Sequence, residues 1–487
     1  MPSVPKFAPR ALGAMLALGL GGCSLAPAYV KPPVAPLPDA YKGAALPEGW
    51  ALAAPKDTQE RAPWWTIYRD DTLDTLESQL DANNPDIAVA LARRDEAQAY
   101  LQQLGAQQAP RVDLDASPTH DRQSDHRPLR GSNQPNEYDT RTIGLSASYE
   151  LDLWGRIRNE VAQGRALGAA AQADLASARL SLQAQLADLY IKLRSLDVET
   201  RIVQDSLGAY AQGRSITQKR MDGGVSSGLD VARANAQYAD AQAQATELRV
   251  QRALVEHAIA TLVGVPASSF SLPAKTTAMT LPPIPLGVPS ELLERRPDIA
   301  AAERRVFAAN AGIGVARAAF FPTLSLGAAF GWQDMGHGGL LAASNTFWSL
   351  GPAAALNLFD GGLRRGRDAE AKAEFAAASG QYRAVVLRAF QQVEDNLSLL
   401  HDLGREAKEE TAAADAGKQS QALATNRYNE GVVSYLEVVT AQTAALQAER
   451  TAERVRTRQL QASVDLIRAL GGGWRHGSTP SSDVSQR

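Results

Sequence analysis

The sequence predicts an α+β membrane protein in which one unit, a pair of β strands followed by a pair of long α helices, occurs twice. Three observations carry this. A block around Gly224 recurs 207 positions later around Gly431, and a block at Pro85 recurs 212 positions later at Pro297. Four segments alternate apolar with small or polar residues at a period of two. Two stretches of about 65 residues are Ala- and Gln-rich helical text that would form rods on the order of 100 Å.

Composition limits what such a chain can do. Lys+Arg 50 against Asp+Glu 53 in 487 residues leaves a net charge of -3, so no broad electrostatic case for nucleic-acid binding exists. The single cysteine excludes an internal disulfide framework and cysteine-based metal centres. Aromatics are only 6%, closer to long helices than to a compact enzyme core. Beyond the first few dozen positions no run of about 18 apolar residues occurs, which excludes a bundle of membrane-spanning helices.

The N-terminus reads as an address and an anchor. Lys6 and Arg10 precede an apolar stretch from Ala11 to Leu20, too short to span a bilayer, so residues 1–22 are expected to be a signal peptide. Leu20-Gly21-Gly22-Cys23 resembles a bacterial lipobox, which makes the Cys23 thiol the expected lipidation site, palmitate included. Ser24 follows where an aspartate would retain a lipoprotein at the inner membrane, and this implies sorting to the outer membrane. Residues 23–60 form the lipid anchor and a tether, Pro-rich at Pro32, Pro33, Pro36, Pro38 and Pro47 and read as extended.

The first copy is assigned to residues 61–270 and the second to 291–473, with a Pro-rich linker at 271–290 and a flexible tail at 474–487. Arg220 to Val231 recurs as Arg427 to Val438, and Gly264 maps onto Gly471. Within the first copy a helix is expected from Asn84, an N-cap with Pro85 at the first helical position, to about Gly105. Past Pro110, Val112, Leu114 and Ala116 alternate with Asp113, Asp115 and Ser117, and a polar loop is expected to follow. Then Ile143, Leu145, Ala147, Tyr149, Leu151 and Leu153 share one face. The second copy repeats this with Leu324, Leu326, Ala328, Phe330 and Trp332, then with Trp348, Leu350, Ala354, Leu356 and Leu358. Such segments have the length and alternation of transmembrane strands, and they also fit a strand pair on a soluble sandwich. Long helices follow, from Arg156 to about Arg220 and from Arg364 to about Arg427, each with a Gly break and a return helix.

Four lipid-exposed strands cannot close a barrel, and open edges are not tolerated in a bilayer. Two chains would give eight strands, a size that side chains fill; three give twelve, the first closure with a lumen.

Cys23 with Ser24, Tyr149-Glu-Leu-Asp-Leu-Trp-Gly155-Arg-Ile-Arg158, Glu294-Arg-Arg-Pro-Asp-Ile-Ala300, Arg317-Ala-Ala-Phe-Phe-Pro322, Leu356-Asn-Leu-Phe-Asp-Gly-Gly362 and Tyr428-Asn-Glu-Gly-Val432 together resemble the outer-membrane factor (TolC-like) family, in its efflux-system lipoprotein subgroup. The resemblance covers the chain from Cys23 to about Gly473. It implies a homotrimer with one 12-stranded β-barrel continuous with a long periplasmic α-helical barrel, held in the outer membrane by its strands and by a covalent lipid on Cys23. It implies the exit duct of a tripartite efflux system, opened passively by a periplasmic adaptor (membrane fusion protein) and an inner-membrane pump of RND type. No cofactor besides the lipid, no metal and no catalytic residue is implied. By motif position Asp230, Glu437 and Tyr428 are candidates for the periplasmic gate, and Gly224, Val225, Gly431 and Val432 for adaptor contact.

A local alternative stands beside the gate assignment. Ser227 to Asp230 and Ser434 to Glu437 both fit a capping box, in which the acid serves only its own helix. The first tip departs from the second in having Met221 where the latter has Tyr428, and Val433 and Thr440 stand where some members carry charged gate residues.

Several motifs carry no chemistry. Gly224-Val-Ser-Ser-Gly228 matches a nucleophile elbow, but it joins two helices and its repeat partner has Val433 at the serine position. His120, His126, His257, His337, His401 and His476 are scattered, and the first two are expected in a polar loop. Arg364, Arg365 and Arg367 mark the expected strand-to-helix boundary. Trp154, Phe320, Phe321, Trp332, Phe347, Trp348 and Phe359 fall near strand ends, where an interfacial girdle or a soluble core would both place them. The competing function is a lipid-anchored, adaptor-like periplasmic coiled coil, which would share the anchor and paired helices but has no need for four strands.

Overall fold

A computed structural model describes residues 24–33, 63–124, 126, 135–282, 296–335 and 339–472. The signal peptide, Cys23, most of the tether, the linker from 283 to 290 and the C-terminal tail lie outside the described residues. Among these residues seven α helices and four strands follow in the order α1 (Asp71–Asn83), α2 (Pro85–Ala106), β1 (Arg111–Arg122), β2 (Glu137–Glu150), α3 (Arg156–Asp222), α4 (Gly228–Leu262), α5 (Pro297–Ala318), β3 (Thr323–Asp334), β4 (Thr346–Ala355), α6 (Leu363–Asn429) and α7 (Tyr435–Ala469). The duplication is exact in its helices: α3 and α6 have 67 residues each, and α4 and α7 have 35 each. None of the described helices is long and apolar enough to cross a membrane.

Caps explain where the helices start and stop. Asn84 Oδ1 accepts from the Asp86 and Ile87 amides, while its Nδ2 donates to the Leu262 carbonyl at the end of α4. Four helices end alike. After α3, Val225 N donates to Arg220 O and Gly224 N to Met221 O; after α6, Val432 N donates to Arg427 O and Gly431 N to Tyr428 O. The same pairs close α4 at Gly264 and Val265, and α7 at Gly471 and Gly472. These are Schellman closures, and the glycine in each takes the left-handed conformation the motif requires: φ is +76° at Gly224 and +81° at Gly431.

Two compact units divide the chain across the repeats, so each contains parts of both copies: one is Arg93–Ala171 and Ala302–Tyr382 with the N-terminal segment to Pro32, and the other is Pro33–Ala92, Gln172–Ala301 and Arg383–Arg487. The first holds a four-stranded antiparallel sheet in the order β1-β2-β3-β4, with the central β2–β3 pairing joining the copies. The second holds the main core, where Trp64, Trp65 and Tyr68 pack with Leu73, Leu76 and Leu80 of α1 and with Tyr190, Leu193 and Ile259 of the long helices. Helix α1 was not among the helices expected from the sequence, which began at Asn84. Its N-cap Asp70 accepts from Thr72 N and Leu73 N, and from the Tyr190 hydroxyl at 2.8 Å. Small residues let the long helices approach one another: a Cβ at Gly417 would lie 3.1 Å from Ala445 Cα.

Two sequence expectations are corrected. β1 runs on to Arg122, so His120 belongs to a strand rather than a loop and pairs with Asp139 on β2 at 2.8 Å. Pro118 lies inside β1, which has β2 on one side only within this chain's sheet. β2 ends at Glu150 and β4 at Ala355, so Leu151, Leu153, Leu356 and Leu358 lie beyond the strands that were expected to contain them.

Candidate functional site: a two-faced sheet and two helical turns

The register turns the alternation in each strand into a continuous surface. Leu114 pairs with Leu145, Leu145 with Phe330, and Phe330 with Trp348; one row over, Val112, Ala147, Ala328 and Leu350 line up. This apolar face is exposed, with Leu114 at 69% and Trp348 at 76%. On the opposite face the matching row is Asp115, Gly144, Gly331 and Phe347. Gly331 needs to be glycine, since a Cβ would stand 2.5 Å from the Ile143 carbonyl oxygen, and the Phe347 ring covers the paired glycines. An apolar face this large on water is a liability unless something covers it. β1 and β4 each leave one edge unpaired among the described residues.

Where strands give way to helices, charge and aromatics fix the junctions. Arg156 makes a bidentate pair with Glu150 at 2.9 and 2.8 Å and a third bond to Glu160 at 2.8 Å, which holds its guanidinium firmly charged. Asp152 accepts from the Ile157 and Arg158 amides and so caps α3. Trp154 stacks on Phe321 at 4.7 Å and donates to the Pro322 carbonyl at 2.8 Å. Arg364 pairs with Asp360, whose carboxyl is held below its usual range first by that guanidinium and then by the Gly362 amide. None of the seven girdle candidates joins the buried core, and Phe359 is 88% exposed.

The two turns at Gly224 and Gly431 differ in detail. Asp230 closes a complete capping box with Ser227, with Ser227 N donating to Asp230 Oδ2 at 3.4 Å and Asp230 N donating to Ser227 Oγ at 3.3 Å. The expected counterpart at Ser434 is not formed: its side chain makes no cap bond, and Glu437 is exposed. Tyr428 is buried instead, with its hydroxyl 3.3 Å from Thr217 Oγ1, its ring edge-on to Tyr435 at 5.3 Å, and Arg220 over its face at 4.4 Å. Arg220 also donates to the Asn429 carbonyl at 2.8 Å, tying the first turn to the second. The structure therefore separates the three gate candidates into a cap, a free acid and a buried ring, and it adds Arg220, which the sequence reading did not single out. Val225 and Val432 project at 79% and 62% exposure, each just past its left-handed glycine, with Leu229 and Leu436 exposed beside them.

A third set of residues went unnoticed in the sequence. The described part of the inter-repeat linker is fastened by side chains that cap its carbonyls: Arg252 to Leu272, Arg194 to Pro273, Arg201 to Thr276 and Arg456 to Met279. Asp197, 1% exposed at its side chain, joins this set by accepting from Arg194, Arg252 and the Lys275 amide. A Pro-rich stretch cannot satisfy its own carbonyls, and that was the only signal available. Three carboxyls of the same compact unit are perturbed mainly by burial. Glu77, fully buried with neither oxygen hydrogen-bonded, is pushed up to about 9, and Asp188 and Glu453 are each pushed up to about 7. No group of acids or histidines able to hold a metal occurs among the described residues.

Comparison with known proteins agrees with this architecture. The family described as outer membrane efflux protein matches residues 76–265 and 288–472. The outer membrane protein OprJ of Pseudomonas aeruginosa is 32% identical over 477 residues, covering 97% of each chain. The pyoverdine export outer membrane protein OpmQ of Pseudomonas putida is 34% identical over 443 residues, 89% of this chain and 93% of that one. Among solved structures, the outer-membrane channel OprN is 31% identical with a TM-score of 0.84, over 93% of this chain and 100% of that one. The adaptor alternative has no need for four strands, whereas the chain shares the TolC-like fold of the solved outer-membrane channel OprN. By sequence over most of its length and by fold, the chain belongs to the outer membrane efflux protein family.

Proposed function

We propose that the protein is the outer-membrane exit duct of a tripartite efflux system: a homotrimer whose twelve strands close a barrel and whose long helices form a periplasmic conduit, opened passively by an adaptor and an inner-membrane pump of RND type. The carrying observation is the sheet, with a continuous exposed apolar face, a small and polar opposite face, and two unpaired edges. Copies of the same chain supply the missing edge partners, and lipid covers the apolar face. The chain makes and breaks no bond in its cargo, and selection of cargo belongs to the pump.

Cys23 carries the lipid in this proposal, and Ser24 beside it supports outer-membrane sorting. Val225 and Val432, with Gly224 and Gly431 setting their direction, form the adaptor contact, since exposed apolar side chains on a turn fit a partner helix tip. Asp230, Glu437 and Tyr428 serve the gate, with Arg220 linking the turns through Tyr428 and Asn429.

Conductance in planar bilayers tests the duct. The purified protein is expected to insert as a detergent-requiring, heat-modifiable trimer with a low open probability, and Asp230→Ala with Glu437→Ala to raise that probability. Complete release of the chain from membranes after Cys23→Ala, with a cleavable signal, would sink the barrel assignment. No rise in open probability would remove the two acids from the gate.

A further inference from the structure

The segment from Ser24 to Pro33 lies along one face of α5. Its contacts run in strict order. Lys31 pairs with Glu303 at 3.0 Å, Tyr29 packs edge-on to Phe307 at 5.2 Å, and the Pro27 carbonyl accepts from Asn310 Nδ2 at 2.9 Å. Ala26 then sits against Gly314, and the Leu25 carbonyl accepts from Arg317 at 3.3 Å. The helix positions 303, 307, 310, 314 and 317 step by four and three, which is one face of an α-helix. The segment descends as the helix ascends, so the two are antiparallel.

The lengths are comparable. From Glu303 to Arg317 the helix rises about 21 Å, and from Lys31 to Leu25 an extended chain spans about 20 Å. Gly314 creates the seat for this segment: a Cβ there would stand 2.8 Å from the Ala26 Cβ and 2.5 Å from Asn159 Nδ2. The two ends are tied to other helices. Lys31 lies over the Tyr382 ring of α6 at 5.8 Å, and Ser24 Oγ donates to Asn159 Oδ1 in the first turn of α3 at 3.0 Å. Tyr29 is seated deeply enough that burial pushes its hydroxyl up to about 12.

We propose that α5 is a receptor for the chain's own N-terminal segment, and that this recognition fixes the point at which the lipid anchor joins the fold. A Pro-rich tether held only by its lipid could attach at any height. Ser24, by contrast, is fixed beside the start of α3, just after β2 ends, and α5 itself leads into β3. Cys23 is one peptide bond from Ser24, so its acyl chains are delivered to the junction where strands become helices. Glu303, Phe307, Asn310, Gly314 and Arg317 act as positioning residues for the anchor. The part concerning lipid rests on the proposed acylation of Cys23; the recognition of the segment by α5 does not.

Protection of the segment in the purified full-length trimer tests this, with proteinase K and mass spectrometry of the released N-terminal peptides. Lys31→Glu and Glu303→Lys are each expected to speed cleavage between residues 24 and 33 about tenfold, and the double swap to return it to within about twofold of the parent. Asn310→Ala, a milder change that keeps the helix, is expected to speed it about threefold. The Cys23→Ala form with a cleavable signal should keep the parent's protection. Protection that vanishes without the lipid, or singles that cleave at the parent rate, or a double swap no better than the singles, overturns the proposal. An N-terminal peptide with no acyl mass refutes acylation of Cys23 and the anchor-positioning role, leaving recognition by α5 to the swap result.

Discussion

Glu77 offers the sharpest single test of the helical unit. Its side chain is fully buried, neither carboxylate oxygen has a hydrogen-bond partner, and its nearest charges are Asp81 and Asp74, which are like-signed. Burial first, and these acids second, push its carboxyl from 4.5 up to about 9. The folded chain thus keeps a proton that the unfolded chain gives up near 4.5. The native state binds more protons across this window, so this stabilisation is full below 4.5 and is lost as pH rises towards 9. The slope is about 1.4 kcal/mol per pH unit, or about 4 kcal/mol between pH 5.5 and 8.5. Glu77→Gln keeps the shape, removes the titration and should abolish this part of the pH dependence. Thermal unfolding of the detergent-solubilised protein at pH 5.5, 7 and 8.5 is the assay. At about 2 °C per kcal/mol for a unit of this size, the gap between variant and parent should move in the variant's favour by about 8 °C over that range. Asp188 and Glu453 titrate in both proteins and cancel in the difference. Parallel pH profiles for the two proteins would refute the argument, and Glu77→Met, of similar volume and without polar atoms, should reproduce the flattening.

Other perturbations address the remaining parts. Asp197→Asn leaves Arg194, 4% exposed at its side chain, without a counter-charge and weakens the fastened linker; a cost of about 3–5 kcal/mol is expected as a lowered unfolding midpoint, and an unchanged midpoint would make the network idle. In the sheet, Gly331→Ala should sharply reduce the yield of heat-modifiable trimer, whereas Gly351→Ala, with open space at its Cβ, should leave it at the parent level; equal yields would refute the close β2–β3 approach. At the turns, Asp230→Ala removes a formed capping box at a cost of about 1 kcal/mol, while Glu437→Ala removes none. Hydrogen exchange in the first turn of α4 should therefore rise about fivefold for the first variant, and exchange at the start of α7 should be unaffected by the second.

The parts of this fold that were legible in the sequence are those encoded by local periodicity and by duplication. The Asn84-Pro85 start of α2, the two 67-residue helices and the glycines at 224, 264, 431 and 471 follow from caps and turn chemistry that act over a few residues. Strand existence was legible too, but strand ends were not. Leu356 and Leu358 continue the alternation past β4, so alternation alone does not mark where the pairing stops. At the candidate gate, the sequence marked Asp230 and Glu437 as equivalent by their capping-box spacing, yet only Ser227 with Asp230 forms the box, while Ser434 makes no cap bond and Glu437 is exposed. Arg220, Asp197 and the α5 face for residues 24–33 were invisible for another reason: each partner is distant in sequence, at separations such as 209 for Arg220 with Asn429 and 283 for Asn310 with Pro27. Duplication exposes which residues the two copies share, as with Arg220 and Arg427, but not which distant residue each side chain meets. Both Pro-rich stretches were read as connectors because Pro denies them helix and ladder. The same denial leaves their carbonyls free, and in this chain arginine and asparagine side chains take those carbonyls up. A Pro-rich segment running beside a helix with Arg or Asn on one face is therefore better treated as a candidate strap than as a free tether.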